Sequence, residues 1–139
     1  MSVARGIRNN NPGNIDYSPI NNWQGQLKVD KTIEPRFCRF DTPENGIRAL
    51  GKLLQTYQRK HGLKTVRAII NRWAPSSEND TNAYVRSVEV YTGTKEGAEI
   101  NLKDPKTLKG MIKAVIRHEN SNYEYPDYVL DEGVRRALA

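Results

Sequence analysis

Carboxylates are the side chains through which this sequence can do chemistry, because the other reactive types lack partners. The two histidines, His61 and His118, have no spaced His or Cys companion, which argues against a metal hydrolase and implies no cofactor. No serine sits in a Gly-x-Ser-x-Gly elbow, and no glycine loop is built to cradle phosphate. Cys38, the single cysteine, allows neither a disulfide framework nor a cysteine-based zinc cluster. Between Phe37 and Arg39 in a strand-like stretch, it reads as a small buried hydrophobe.

Position separates the acids. Glu44 falls in the first turn of a predicted helix, where the backbone N–H groups and the macrodipole favour the ionised form. It also follows Asp41 by three residues, so a helix-start role accounts for it. Glu119 is the opposite case: it continues the apolar stripe of Leu108, Met111, Ile112, Val115 and Ile116 to the C-terminal end of a helix. Burial and the helix end both push such a carboxyl towards its protonated form, as a glycosidase acid requires. Periodicity alone leaves a second reading, in which Glu119 exits into solvent as the helix frays before Asn120-Ser121-Asn122.

The elements that must position these groups are mostly helical. Thr42-Pro43 opens a helix carrying Ile47, Leu50, Leu53, Leu54 and Tyr57, which ends at Gly62. Thr65 opens another with Val66, Ile69, Ile70 and Trp73, stopped by Pro75. Asp80-Thr81 begins a third, with Tyr84, Val85 and Val88, ending near Gly93. Asp104-Pro105 begins the helix that leads to Glu119, and a last one spans 126–138. Residues 5–22, rich in Asn, Gly and Pro, read as loop and turn. Alternation from Trp23 to Phe40 predicts a short hairpin interrupted near Pro35. The expectation is a single mostly α (α+β) domain over 1–139 with a small β-hairpin near the N-terminus.

At 139 residues one core is affordable, and a charged fraction of 27% beside 37% hydrophobic residues describes a globular chain. The net charge of +6 suits nucleic acid, an anionic membrane or an anionic wall polymer equally, and its scatter along the chain does not select among them. No apolar run is long enough to span a membrane, and the first eight residues lack a signal-peptide core. A substrate outside the cytoplasm would therefore need another vehicle.

The string Arg5-Gly6-Ile7-Arg8-Asn9-Asn10-Asn11-Pro12-Gly13-Asn14-Ile15 resembles the opening of a family of short phage and prophage proteins described as virion structural or lysozyme-like lytic proteins. The likeness continues through Trp23-Gln24-Gly25, Phe37 to Leu50, Trp73 to Tyr84, and Ile116-Arg117-His118-Glu119-Asn120. It implies a lysozyme-like domain that cuts the glycan strands of peptidoglycan as a muramidase, glucosaminidase or lytic transglycosylase, or else a non-catalytic virion or wall-binding protein. The implied partners are peptidoglycan and other virion proteins rather than nucleic acid. The implied location is the virion or the host cytoplasm before release, with the cell wall as the place of action.

Asn11 to Ile15, Trp23-x-Gly25 and Phe40 are also similar in order to the glycan-cleft half of bacterial glucosaminidases. There the catalytic Glu closes an apolar helix before the Asn-Gly segment. Here the matching helix end comes last, which implies a circular permutation of that plan. The likeness makes Glu119 the acid and takes a second carboxylate from the small β region, Glu34 ahead of Asp30. With neither in the cleft, one acid alone would fit a transglycosylase. Residues Trp73 to Thr81 and Tyr84 would line the cleft, with Glu78 as a fallback acid, although Asp80 or Asn79 also makes a simple helix cap. Tyr84 and Trp23 read either as sugar contacts or as core. Asn10, Asn11 and Asn14 read either as ligands for sugar hydroxyls or as left-handed turn residues.

Overall fold

In a computed structural model describing residues 3–74 and 80–139, the described helices are α1 (Arg5–Arg8), α2 (Pro43–His61), α3 (Val66–Trp73), α4 (Thr81–Thr92), α5 (Pro105–Glu119) and α6 (Asp127–Leu138). Helices α2 to α5 each start on a side-chain oxygen that accepts an otherwise orphaned backbone N–H. Thr42 accepts from Asn45, Thr65 from Ala68, Asp80 from Ala83 and Asp104 from Thr107. Gly62 and Gly93 close α2 and α4 in the left-handed conformation, with φ of 61° and 70°.

The apolar stripes meet in one cluster that includes Ile47, Leu50, Ile70, Leu108, Ile112 and Leu130. Each such side chain, fully buried, contributes roughly 2 kcal/mol. Helix α2 lies along α6, and α4 along α5. Gly51 faces Ala137 and Gly133 faces Ile47 so closely that a Cβ at either glycine would collide, which sets the short α2–α6 distance. No described helix is long and apolar enough to cross a membrane.

The N-terminal 40 residues depart from expectation. Residues 5–8, read from sequence as loop, form α1. No sheet appears among the described residues and a hairpin of regular strands is not shown: the antiparallel pairing is in isolated bridges, Asp16 with Phe37 and Gln26 with Phe40 here and Thr65 with Glu99 farther along. Segment 36–40 is the shared centre, receiving the Tyr17 N–H at the Arg36 carbonyl (3.0 Å) and the Leu27 N–H at the Arg39 carbonyl (2.8 Å). A tight turn ends the pairing, because the Ile33 and Glu34 N–H groups both donate to the Asp30 carbonyl, and Pro35 has no N–H to give. Leu27, Val29 and Ile33 therefore alternate without a core face beneath them, and Ile33 is 58% exposed. A second, smaller cluster of Ile15, Cys38, Phe40 and Ala49 ties this layer to α2.

Candidate functional site

The Asn-rich segment is a structural knot. Asn11 is fully buried: its Nδ2 donates to the carbonyls of Ile15 (3.0 Å) and Cys38 (2.9 Å), and its Oδ1 accepts from the Ile15 N–H (3.0 Å). Asn10 and Asn14 take left-handed backbone conformations, φ 51° and 49°. Asn120, just past α5, donates from Nδ2 to the Pro12 carbonyl (2.8 Å) and to Ile116 (2.9 Å). The Asn10 carbonyl presses on Gly46 of α2, where any Cβ would overlap it. The segment is thus clamped between the ends of two long helices.

This clamping makes one wall of a groove of about 510 Å³. Asn14, Asp16, Arg36 and Phe37 line it from the N-terminal layer. Tyr57 of α2, Trp73 of α3 and Glu119 of α5 line it from the helices. The Tyr57 and Trp73 rings lie 6.3 Å apart, tilted by 56°, and Arg72 sits 5.4 Å over Tyr57. Burial pushes the Tyr57 phenol above its ordinary range against the pull of Arg72. Glu119 is half-buried at the last position of α5, beside the negative end of the helix dipole. An aromatic wall, side-chain amides and a half-buried carboxyl can stack on and hydrogen-bond a polar ligand.

Behind this wall a buried carboxylate pairs with a part-exposed guanidinium. Glu34, 4% exposed, accepts five hydrogen bonds: from Arg5 Nε (2.8 Å) and Nη2 (2.6 Å), Asn9 Nδ2 (3.0 Å), and the backbone N–H groups of Arg36 and Phe37 (2.8 Å each). The Arg5 hydrogen bond, then the two backbone donors and Asn9, hold its carboxyl far below the usual range in spite of burial. The Phe37 ring lies between the Arg5 and Arg36 guanidinium groups, at 4.5 and 4.8 Å. Arg36 Nε in turn donates to Asp16 Oδ1 at 2.6 Å.

No protein-family model matches the chain. Over 125 residues it is 40% identical to Protein P5 of Pseudoalteromonas phage PM2, across 88% of this chain and 75% of that protein. The chain belongs to the Protein P5 family. The match ties it to bacteriophage proteins.

In this P5-family chain, Glu119, Asn14 and, from the expected cleft segment, Trp73 and Ala74 are the expected residues that the fold brings to the groove. Glu34 is not brought there, because its acceptor capacity is spent on Arg5, Asn9 and the 36–37 backbone. Asp30 is committed to its own turn, accepting from the Thr32 N–H and hydroxyl. Asn11 is not available to a sugar, since all its hydrogen-bonding reach goes to backbone. Trp23 packs against the Ile15–Phe40 cluster and, like Thr81, does not line the groove. Tyr84 is fully buried and stacks on the His118 ring with centroids 3.7 Å apart. Burial, with the Glu119 charge adding to it, raises its phenol far above the ordinary value. Glu78 lies outside the described residues. Glu44 occupies the first turn of α2 as expected, although Thr42 makes the cap and Asp41 accepts from the Asn45 amide (2.9 Å).

Sequence reasoning missed Asp16, Arg36 and Tyr57 as groove residues. Asp16 and Arg36 carry no local signal, because their pairing across twenty positions depends on the bridge between Asp16 and Phe37. Tyr57 had a signal, as the last member of the α2 stripe before the helix runs out of core.

Proposed function

We propose that this P5-family protein cleaves the glycan strands of peptidoglycan, with Glu119 as the general acid. The observation that carries the reading is the placement of Glu119. A carboxyl that continues a fully apolar helix stripe emerges half-buried into a groove whose other walls carry aromatic rings, side-chain amides and the Asp16–Arg36 ion pair. A carboxyl in that setting can hold a proton and pass it to a departing glycosidic oxygen. The helical body with its small, irregular N-terminal layer is compatible with a permuted lysozyme-like plan. The phage relative fits a virion-borne or lysis-stage enzyme acting on the bacterial wall.

Zymography on purified sacculi tests the proposal. Wild type should clear the substrate, and Glu119→Gln should lose at least about 100-fold of the activity while keeping its melting temperature. Equal clearing by both would remove Glu119 from the mechanism. Binding to sacculi without clearing by wild type would replace the enzyme with a wall-binding virion module.

A further inference from the structure

We infer that Asp16 is the second carboxylate of the groove and that the strand is cut by hydrolysis. The inference rests on the glycan-cleaving reading above. Among the described residues, Asp16 and Glu119 are the two carboxylates that line the groove, and Glu34, the expected partner, is sequestered behind its wall. A single acid would suit intramolecular closure of the sugar on itself. Two carboxylates in one groove suit the addition of water.

The local structure holds Asp16 in place. Its backbone bridges to Phe37, and its carbonyl faces the Cys38 thiol at 3.7 Å. Its carboxylate is oriented by Arg36 Nε, while the side chain remains 60% exposed on the groove, where water has access. Arg36 is itself fixed by its stacking on Phe37 and is the positioning residue of the pair.

In the step, Glu119 gives its proton to the bridging oxygen, and the C1–O bond breaks with its electrons going to that oxygen. A water held by Asp16 adds its oxygen to C1, and its released proton passes to the Asp16 carboxylate. No oxidant, metal or further reactant is consumed. The two groups then exchange protons with solvent to reset.

The test digests purified sacculi in H₂¹⁸O with wild type, Asp16→Asn and Glu119→Gln, and analyses the fragment ends by mass spectrometry. The expected result is wild-type fragments with reducing ends that carry one ¹⁸O. Asp16→Asn should fall at least about 100-fold in rate, with an unchanged melting temperature because the residue is exposed. Arg36→Lys should lower kcat more than it raises KM. Anhydro ends from wild type would overturn the inference and leave glycan cleavage standing, as would full activity of Asp16→Asn beside a dead Glu119→Gln. An inactive wild type would overturn both readings.

Discussion

Glu34→Gln perturbs a charge that sits behind the groove without touching it. The substitution keeps the size of the side chain but removes the charge facing Arg5. It also turns one acceptor into an NH₂ group that must face donors from Asn9, Arg36 or Phe37. Losing one partner of a buried ion pair costs about 3–5 kcal/mol, and hydrogen bonds to a charged acceptor contribute about 1.5–3 kcal/mol each. The Arg5 side chain is 41% exposed, so its stranded charge regains water, and the lower end of that range, about 3 kcal/mol, applies. For a domain of this size that is a fall in Tm of about 12 °C.

The pH dependence provides a second readout. The folded carboxyl of Glu34 lies below its ordinary value of 4.5, so its contribution is complete above that pH and is lost as pH falls towards the folded value. Below pH 4.5 the wild type should lose stability more steeply than Glu34→Gln, by about 1.4 kcal/mol per pH unit. Thermal melting at pH 7 measures the first effect, and urea unfolding at a series of pH values from 7 to about 2.5 measures the second. A Tm loss under about 3 °C, or parallel acid limbs for the two proteins, would refute the argument that this pair holds the N-terminal layer.

Other outcomes follow from single contacts. Asn11→Ala removes three buried hydrogen bonds and should cost about 3 kcal/mol in urea unfolding. Gly46→Ala places a Cβ on the Asn10 carbonyl, so the N-terminal segment must detach from α2. Amide hydrogen exchange over residues 9–16 should then speed up by at least about tenfold, while α4 and α5 stay protected. Ile33→Ser, on a side chain already exposed, should change stability by no more than about 0.5 kcal/mol; a larger loss would mean that the residue has a packing partner. Cys38 is 3% exposed, and burial, with Asp16 adding, pushes its thiol up to about 11. It should therefore resist a disulfide reagent at pH 8 until urea unfolds the chain.

The helices were legible because their signals are local. Thr42-Pro43, Thr65, Asp80 and Asp104-Pro105 each announce a start within four residues, and each cap is made as read. Gly62 and Gly93 likewise mark ends by a conformation that other residues resist. Glu119 was legible for the same reason, as a break in a periodic stripe. The N-terminal layer was not, because its order comes from partners far along the chain. Alternation at Leu27, Val29 and Ile33 imitates a strand over a core, and only tertiary structure reveals that none of the three is buried. A carboxylate such as Glu34 looks solvated beside a proline until Arg5, 29 positions away, is folded onto it. The Asn run carried both of its readings in the sequence, and the fold takes the backbone one at Asn11.

The bond from the Asn120 amide to the Pro12 carbonyl closes a loop of 108 positions. Closing so long a loop is entropically expensive, and such contacts form late relative to helix pairing. During synthesis residues 9–15 leave the ribosome early and meet Cys38, Phe40 and Gly46 soon after, yet their tie to the end of α5 must wait until residue 120 has been made. The N-terminal wall therefore exists before the α5 wall that faces it across the groove. The joining of the two walls is thus a kinetic property of the order in which the residues are strung.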